Sequence, residues 1–454
     1  MKYPLHYKSF VQAFHRKLYA GDYIYEATVR QARCPHCQKV LTDRMIVGKC
    51  PVCAEPTRGD QCEACGAILE ADAVLNACCA DCGSALEFGK TTQLFLAIAK
   101  LERELNDYLN AHPQWRKNAL AFTKRYIEEG LRDRAVTRDL DWGIDVPQAG
   151  YDDKRIYIWA ENVLGYLSAS FAVCAERGES WDELFGENAH HYYVHGKDNI
   201  PFHTIILPSL LLGHGEGLRL PDEIVSSEYL TLEGRKISTS LNWAIWAKDI
   251  VGRYHPDALR YFFLANGPER RDTDFSWREF VARSNSELLG AYGNFVNRSL
   301  AFIKKYYDSR VPNGEVDATI SQRLLPVFAA VGAKIEQAHL QNALEAVLEL
   351  VRFGNKYFDG ERPWATRTAD PKHCAATLYN CVQMIANLAA LLAPFLPFSS
   401  ERVLAWLGQD TGWNMKRVAA GYELPEIGIL FERLDKSVVD DELAQLEQRG
   451  AELW

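Results

Sequence analysis

The chain has 454 residues, too many for one ordinary hydrophobic core, and this length suggests about three structural units. Hydrophobic residues make up 48% of the sequence and charged residues 24%, which is the composition of a soluble globular protein. The formal net charge of -9 excludes a chain that is basic throughout, so any nucleic-acid site must be a local patch.

The first predicted elements are a helix and an irregular segment rich in cysteine. Residues 1–28 show an amphipathic helical pattern, with Phe10, Phe14 and Leu18 on one face. Residues 29–90 are loop-like, with many Cys, Gly and Asp residues and short strand-like runs. The absence of a continuous apolar segment near the start argues against a signal peptide, and we expect a cytoplasmic protein.

Nine of the twelve cysteines are clustered between Cys34 and Cys82. Eight of them form four C-x-x-C units: Cys34 and Cys37, Cys50 and Cys53, Cys62 and Cys65, Cys79 and Cys82. Two such turns supply the four thiolates of a closed, tetrahedral zinc site, so the spacing predicts one or two structural zinc ions rather than disulfides or a redox motif. Spacing alone allows nested or sequential pairing, and Cys78 is a competing ligand.

The rest of the chain predicts mixed α/β structure followed by helices. Residues 95–130 show leucine and isoleucine at helical spacing, and residues 150–230 alternate short apolar runs with helical stretches, as in a parallel sheet. From residue 255 onward the pattern is almost wholly helical, which predicts a bundle. The longest apolar run, from Met384, contains two prolines and is too short for a membrane span, so we expect a buried helix ending at Pro394 and no membrane association.

Residues 232–246 read LEGRKISTSLNWAIW and place Lys236 in a loop-like stretch. In one interpretation Gly234 forms a turn and nearby hydroxyl groups cap the next helix. In the other, the lysine and the hydroxyl groups bind phosphate oxygens. The hydroxyl-bearing residues are Ser238, Thr239 and Ser240.

Several segments, taken in order, resemble methionyl-tRNA synthetase, a class I aminoacyl-tRNA synthetase family. They are RAVTRDLDWGIDVP (134–147), IYIWAENVLGYL (156–167), YYVHGKDNIPFHTIILPSLL (192–211), EGRKISTSLNWAIW (233–246) and RYFFLANGPERRDTDFSWREFVARSNSELLGAYGNFVNR (260–298). The resemblance runs from about Tyr3 to the end of the chain. For zinc it implies nested pairing, with Cys50, Cys53, Cys62 and Cys65 on one ion and Cys34, Cys37, Cys79 and Cys82 on the other.

The resemblance assigns the loop at Lys236 to the K-M-S-K-S position, where lysines stabilise charge on ATP phosphates as pyrophosphate leaves. It makes Lys236, Ser238, Thr239 and Ser240 the candidate catalytic residues, with Lys236 and Thr239 also at the ATP. The sequence departs from the family pattern at Thr239, where a second lysine is usual. ATP with Mg²⁺ would be a substrate.

The resemblance also implies a methionine pocket and contacts to the adenylate. The candidate pocket residues are Trp159, Tyr166, Phe202 and His203, whose aromatic groups suit a thioether. Packing is the alternative, since Trp159 and Tyr166 are seven residues apart, as on one helical face. The candidate adenylate ligands are Lys197, Asp198 and Asp145.

For tRNA, the resemblance implies an anticodon-binding bundle in which Trp364 stacks on a base. The base-reading asparagine of the family falls at Gly290, whose side chain cannot make that hydrogen bond. Asn297 and Arg298 are candidates for local contacts only. The partners implied are tRNA, methionine and ATP.

No segment of the sequence matches the H-I-G-H loop of the family, or the acidic residue that holds the amino group of methionine. We therefore expect the chain to lack roughly the first half of the nucleotide-binding fold and to be inactive in isolation. A second chain supplying that half, as in a split enzyme, is a candidate partner.

The expected fold is α/β, with a partial Rossmann-type class I catalytic domain, an inserted zinc-knuckle domain and an all-α anticodon-binding bundle. The expected boundaries are 1–28 for a remnant of the first Rossmann half, 29–135 for the zinc insertion, 136–235 for the second Rossmann half, 236–285 for the K-M-S-K-S and stem-contact region, and 286–454 for the bundle. The leading hypothesis is a methionine–tRNA ligase acting through methionyl-adenylate. The alternatives are a non-catalytic tRNA- or protein-binding paralogue, one half of a split synthetase, and a repurposed tRNA-independent paralogue.

Overall fold

The structure, a computed structural model, describes residues 6–451 except for 61, 63, 68, 187 and 240. It contains two compact units, Met1–Ser227 and Glu228–Trp454. Both mix helices and strands, and the second is dominated by helices, which agrees with the α/β and all-α parts expected from the sequence.

The first unit combines short strands with helices that pack into one hydrophobic core. Its helices, among the described residues, are α1 (Tyr7–Tyr19), α2 (Glu102–Asn110), α3 (Lys117–Glu128), α4 (Ile158–Glu161), α5 (Gly165–Arg177), α6 (Trp181–Leu184) and α7 (Leu207–His214). Its strands are β1 (Ile24–Cys34), β2 (Lys39–Val40), β3 (Ile46–Lys49), β4 (Pro56–Arg58), β5 (Leu75–Cys79), β6 (Glu87–Leu96), β7 (Arg134–Ala135), β8 (Thr137–Arg138), β9 (Arg155–Ile156), β10 (Tyr192–Gly196) and β11 (Glu223–Ser227).

Helix α1 has the buried face that the sequence predicts, with Phe10, Phe14 and Leu18 fully buried. It ends at Tyr19 rather than near residue 28, because the chain turns at Gly21 and then forms the long strand β1. Strand β1 pairs with β6 in an antiparallel ladder from Ile24 opposite Leu96 to Arg33 opposite Glu87. This ladder carries the cysteine-rich segment at its far end, where β3 pairs with β4 and β5.

The helix expected over residues 95–130 is divided into a 3-10 turn at 98–101 and the helices α2 and α3. Leu94 lies in β6, not in a helix. Strands β10 and β11 pair in parallel, as the alternating pattern predicted.

The second unit holds a small sheet and a helical bundle. Its strands, within the described part of the chain, are β12 (Leu230–Leu232), β13 (Arg235–Lys236) and β14 (Thr273–Phe275), in the order β13-β12-β14. Its helices are α8 (Ala247–Val251), α9 (Pro256–Ala265), α10 (Trp277–Arg283), α11 (Asn294–Tyr306), α12 (Ala318–Glu336), α13 (Leu340–Glu361), α14 (Pro363–Ala369), α15 (Pro371–Leu392), α16 (Pro397–Trp406) and α17 (Ser437–Ala451). A π-helix over 284–293 joins α10 to α11.

Helix α15 is the core of the bundle and ends at Leu392, two residues before Pro394, as expected. Two helical stretches have the length and composition of a membrane span, Ile158–Arg177 and Pro371–Leu392, and 89% of the apolar window of the second is buried. Helix α13 approaches α11 closely, because a Cβ at Gly354 would lie 2.7 Å from the ring of Phe295. A larger residue there would separate the two helices.

Candidate functional site

The eight paired cysteines form two groups, each with four sulfur atoms within 4.8 Å of one another. One group is Cys34, Cys37, Cys79 and Cys82, and the other is Cys50, Cys53, Cys62 and Cys65. This is the nested arrangement. Cys78, the competing candidate, belongs to neither group, and the structure contains no disulfide among the described residues.

The sulfur positions fit a tetrahedral metal shell. Four sulfurs at about 2.3 Å from a zinc ion are about 3.8 Å apart. The Sγ atoms of Cys50 and Cys65 are 3.8 Å apart, those of Cys53 and Cys62 are 3.6 Å apart, and those of Cys34 and Cys82 are 3.5 Å apart. The donor set and the distances therefore suit Zn²⁺ at both groups.

The backbone repeats one conformation at all four turns. The residue after the second cysteine of each pair has a positive φ: Gln38 at 54°, Ala54 at 63°, Gly66 at 74° and Gly83 at 71°. At three turns the amide of this residue donates to the carbonyl of the first cysteine. The left-handed residue closes the turn so that both sulfurs face the same point. Only the two glycines signal this conformation in the sequence.

The aromatic candidates of the first unit form two contacting pairs. Trp159 and Phe202 stack with ring centroids 3.9 Å apart and an interplanar angle of 17°. Both line a cavity of about 90 Å³. Since one water needs roughly 10–15 Å³ on this measure, the cavity has room for a side chain rather than a nucleotide.

The second pair is Tyr166 and His203, joined by a hydrogen bond of 2.9 Å between the hydroxyl and Nε2. The Nδ1–H of His203 donates to the carbonyl of Asn199 at 2.8 Å, so Nε2 is the acceptor of the tyrosine proton. His195 stacks on His203 with centroids 4.2 Å apart. Burial lowers the pKa of His203, and burial lowers that of His195 to about 4, so both rings are neutral.

Trp159 lies in α4 and Tyr166 in α5, with a 3-10 turn at 162–164 between them, within one helical stretch, Ile158–Arg177. Phe202 and His203, which contact them, are consecutive in a π-helix over 202–206. The methionine pocket stays a prediction beside the packing alternative.

A polar network that the sequence does not signal lines the cavity beside Trp159 and Phe202. Asp43 accepts from the hydroxyl of Tyr157 at 3.1 Å and lies 3.3 Å from the guanidinium of Arg138. Arg44 is bonded to Asp60 at 2.7 Å and lies 5.9 Å above the ring of Trp159. Asp43 and Arg44 lie in the chain between two of the cysteine pairs, so the network connects the cysteine-rich segment to the aromatic pair. No local motif signals this contact, since the partners are more than 90 residues apart.

The remaining candidates of the first unit are scattered around strands β9 and β10. Lys197 and Asp198 lie in a 3-10 turn directly after β10. Asp145 is exposed and forms an ion pair of 3.3 Å with Arg155. The structure does not bring Asp145 together with the turn after β10 by any contact between described residues.

In the second unit, Lys236 is exposed at the end of β13 and begins a tight loop. Two backbone hydrogen bonds of 3.0 and 2.9 Å join Ser238 to Trp243 and close the loop around the exposed Thr239. Ser240 lies outside the described residues. The hydroxyl of Ser238 accepts from the amide of Leu241 at 3.3 Å, so this hydroxyl stabilises the loop itself and does not cap a following helix.

The loop is anchored on both sides. Arg235 lies 3.8 Å above the ring of Trp243, whose indole N–H donates to the carbonyl of Leu232 at 3.0 Å. Asn242, with φ 49°, donates to the carbonyl of Arg449 in α17 at 2.9 Å. Lys236 therefore lies at the start of a loop whose described ends are held by these contacts.

Trp364, the anticodon candidate, is 53% exposed at the start of α14. Its ring centroid is 6.0 Å from that of Phe358. The guanidinium of Arg298 lies 4.3 Å above the ring of Phe358. Arg298 also pairs with Asp359 at 2.6 Å, so it is held within the bundle, whereas Asn297 is exposed. Gly290 is exposed on the π-helix.

Comparisons with known proteins cover both units. A model of class I tRNA synthetases (M) matches residues 5–300, and a model of the anticodon binding domain of methionyl tRNA ligase matches residues 310–451. Methionine–tRNA ligase 1 of Alkaliphilus oremlandii (strain OhILAs) is 46% identical over 443 residues, 97% of this chain and 82% of that protein. Methionine–tRNA ligase of Bacillus mycoides (strain KBAB4) is 48% identical over 445 residues, 97% of this chain and 81% of that protein.

The fold also matches solved structures. Methionyl-tRNA synthetase of Mycobacterium tuberculosis, bound by methionyl-adenylate, superposes with a TM-score of 0.75 at 21% identity. The match covers 94% of this chain and 81% of that one. At this identity the match concerns the fold alone.

Proposed function

We propose, from the premise that this chain belongs to the methionine–tRNA ligase family of class I tRNA synthetases, that it serves in the attachment of methionine to tRNA and that the residues named below take part in it. The observation that carries the proposal is the identity of 46% and 48% to relatives with that name, over 97% of this chain. These relatives favour the ligase over the non-catalytic and tRNA-independent alternatives.

In the first step, a carboxylate oxygen of methionine attacks the α-phosphorus of ATP. The bond from this phosphorus to the bridging oxygen breaks, and pyrophosphate leaves with the electron pair. We assign Lys236 to the charge that develops on the leaving phosphates, because an exposed lysine on an anchored loop can reach phosphate oxygens without reorganising the loop. Thr239 is a second donor in that loop. In the second step a ribose hydroxyl of tRNA attacks the methionyl carbonyl and AMP leaves.

We assign methionine to the surroundings of Trp159, Phe202, Tyr166 and His203. The stacked pair offers aromatic surface to a thioether, and sulfur–aromatic contacts contribute about 0.3–1.5 kcal/mol each. The neutral imidazole and the tyrosine hydroxyl are the polar part of this region. Lys197, Asp198 and Asp145 are assigned to the adenylate.

The two cysteine groups would each hold one Zn²⁺ through four thiolates. Such a closed shell supplies folding energy and no open coordination position, so its role is structural. None of the twelve cysteines forms a disulfide in the described structure, which suits a reducing compartment, and we assign the chain to the cytoplasm. No comparison supports a second chain, which stays a prediction.

The test is Lys236→Ala in an assay of methionine-dependent exchange between pyrophosphate and ATP. We expect the chemical step to slow by orders of magnitude while methionine binding is almost unchanged, because the lysine acts on charge present mainly in the transition state. Lys248→Ala, at an exposed lysine of α8 in the same unit, is the matched control. Equal losses of rate and methionine affinity would contradict the assignment.

A further inference from the structure

A second ring with a cation above it lies on the helix that carries Trp364. The guanidinium of Arg367 in α14 lies 4.2 Å above the ring of Tyr306, the last residue of α11. The ammonium of Lys305 is 5.2 Å from the centroid of the same ring. Tyr306 is 39% exposed, so the two cations leave part of the ring open to solvent.

The charges at this ring are not used inside the bundle. Within the described part of the chain, neither Arg367 nor Lys305 has a carboxylate within 4 Å. Neighbouring cations do: Arg298 pairs with Asp359 and Lys304 pairs with Glu426. A chain with net charge -9 thus keeps two uncompensated cations beside an exposed ring.

Helix geometry places this group next to Trp364. Trp364 and Arg367 are three residues apart in α14, so their side chains emerge from one face with Cβ atoms about 5–6 Å apart. A planar guanidinium stacked on a ring offers its outer face to a further planar group, and bases of unpaired RNA stack on both aromatic rings and guanidinium planes. The spacing suits two consecutive unstacked nucleotides.

We propose that Arg367, whose guanidinium lies above the ring of Tyr306, is a stacking platform for one unpaired base of the tRNA anticodon loop, adjacent to the base that stacks on Trp364. The inference rests on the proposed tRNA function of this domain and names the residues that take the second nucleotide. Lys305 contributes charge toward the phosphate of that nucleotide. Tyr306 positions the guanidinium, and its ring rather than its hydroxyl performs this role.

The experiment measures binding of the full chain to an RNA hairpin with the methionine anticodon CAU in its loop. Arg367→Ala should weaken binding about 5- to 150-fold, the range that corresponds to the loss of one stacked base. Arg367→Lys should weaken it nearly as much, because lysine keeps the charge and loses the plane. Tyr306→Phe should bind as the parent does, and Tyr306→Leu should resemble Arg367→Ala.

Arg323→Lys is the matched control. The guanidinium of Arg323 lies 4.4 Å above the ring of Phe353 elsewhere in the same bundle. Arg323→Lys therefore removes an equivalent planar guanidinium above a ring and keeps the positive charge. It should leave affinity unchanged. Unaltered melting temperatures would show that the exposed substitutions at positions 306 and 367 act on binding and not on folding.

A scan with single abasic nucleotides supplies the positional readout. Arg367→Ala should lose its effect with one abasic position, and Trp364→Ala should lose its effect with a neighbouring position. Full affinity of Arg367→Lys, or no abasic position that cancels Arg367→Ala, would overturn the platform. If Trp364→Ala itself binds normally, the assignment of the anticodon site fails first, which separates the two failures.

Discussion

We call Cys50, Cys53, Cys62 and Cys65 the inner group, because they lie in the chain between the cysteines of the outer group, Cys34, Cys37, Cys79 and Cys82. The fold of the inner group should depend on bound zinc more strongly than that of the outer group. We consider Cys53→Ser in the inner group and Cys37→Ser in the outer group. Both cysteines are the second of their pair, both are half-buried, and both precede a residue in the left-handed conformation. Cys78→Ser is the control, because Cys78 lies in the same segment outside both groups.

The difference between the groups follows from what else holds them. Apart from cysteines, the buried side chains that the structure describes in the hydrophobic cluster around the inner group are Leu69 and Val74. Two such side chains contribute about 3–6 kcal/mol, whereas zinc binding to a four-ligand knuckle contributes about 10–16 kcal/mol. The outer group includes Cys34 at the end of β1, whose ladder with β6 does not depend on metal. Loss of the inner zinc should therefore disorder residues 50–65, and loss of the outer zinc should leave β1 and β6 paired.

The assay combines elemental analysis with hydrogen exchange followed by segment. We expect two zinc ions per chain in the parent and in Cys78→Ser, and one in each of the other single variants. The double variant Cys37→Ser with Cys53→Ser should hold none if pairing is nested, and one if pairing is sequential. One remaining ion in the double variant, or a disulfide in the parent, would refute the argument.

Two further outcomes are expected. Asn242→Asp removes the side-chain amide that donates to the carbonyl of Arg449, so it should increase hydrogen exchange in the loop at residues 236–246. Asn242→Gly should do the same, although glycine tolerates the left-handed backbone at this position. Unchanged exchange in Asn242→Gly would show that the backbone conformation matters and the hydrogen bond does not. Burial lowers the pKa of His15 and His195 to about 4 and also lowers that of His203, so unfolding takes up protons below the ordinary value of 6.5. The stability that these neutral histidines provide is complete above pH 6.5 and should be lost as the pH falls toward 4. For the fully buried His15 the loss should be about 3 kcal/mol. Melting temperatures that do not change over this pH range would contradict the prediction.

The sequence predicts elements whose signal is local. The apolar stripe of α1, the buried helix α15 that ends before Pro394, and the parallel pair β10 and β11 all follow from periodicity and breakers. The length of β1 could not be read in the same way. Its burial alternates only weakly, because the strand is ordered by its partner β6 about 60 residues later.

In the candidate site, too, features with a local signal could be predicted, and contacts between residues far apart in sequence could not. Cysteine spacing predicts the eight thiol groups and leaves their pairing open, whereas the family resemblance implies the nested arrangement that the folded chain shows. The resemblance supplies Trp159 and Phe202, yet their stacking depends on a 3-10 turn and a π-helix that no spacing rule predicts. Asp43 and Arg138 were missed because a carboxylate and a guanidinium far apart in sequence carry no joint signal.

Hydrogen-bond direction adds a constraint that residue identity alone does not contain. A carbonyl can only accept, so the bond from His203 Nδ1 to Asn199 fixes the proton on Nδ1. In the neutral ring Nε2 then accepts from the hydroxyl of Tyr166. Burial opposes protonation of the ring, which keeps the region of Trp159, Phe202, Tyr166 and His203 uncharged near neutral pH. An uncharged aromatic region suits a thioether and disfavours a charged side chain, because a buried ion without a partner costs several kcal/mol. Under the proposed assignment of methionine to this region, the neutral imidazole and the aromatic rings would disfavour a charged side chain.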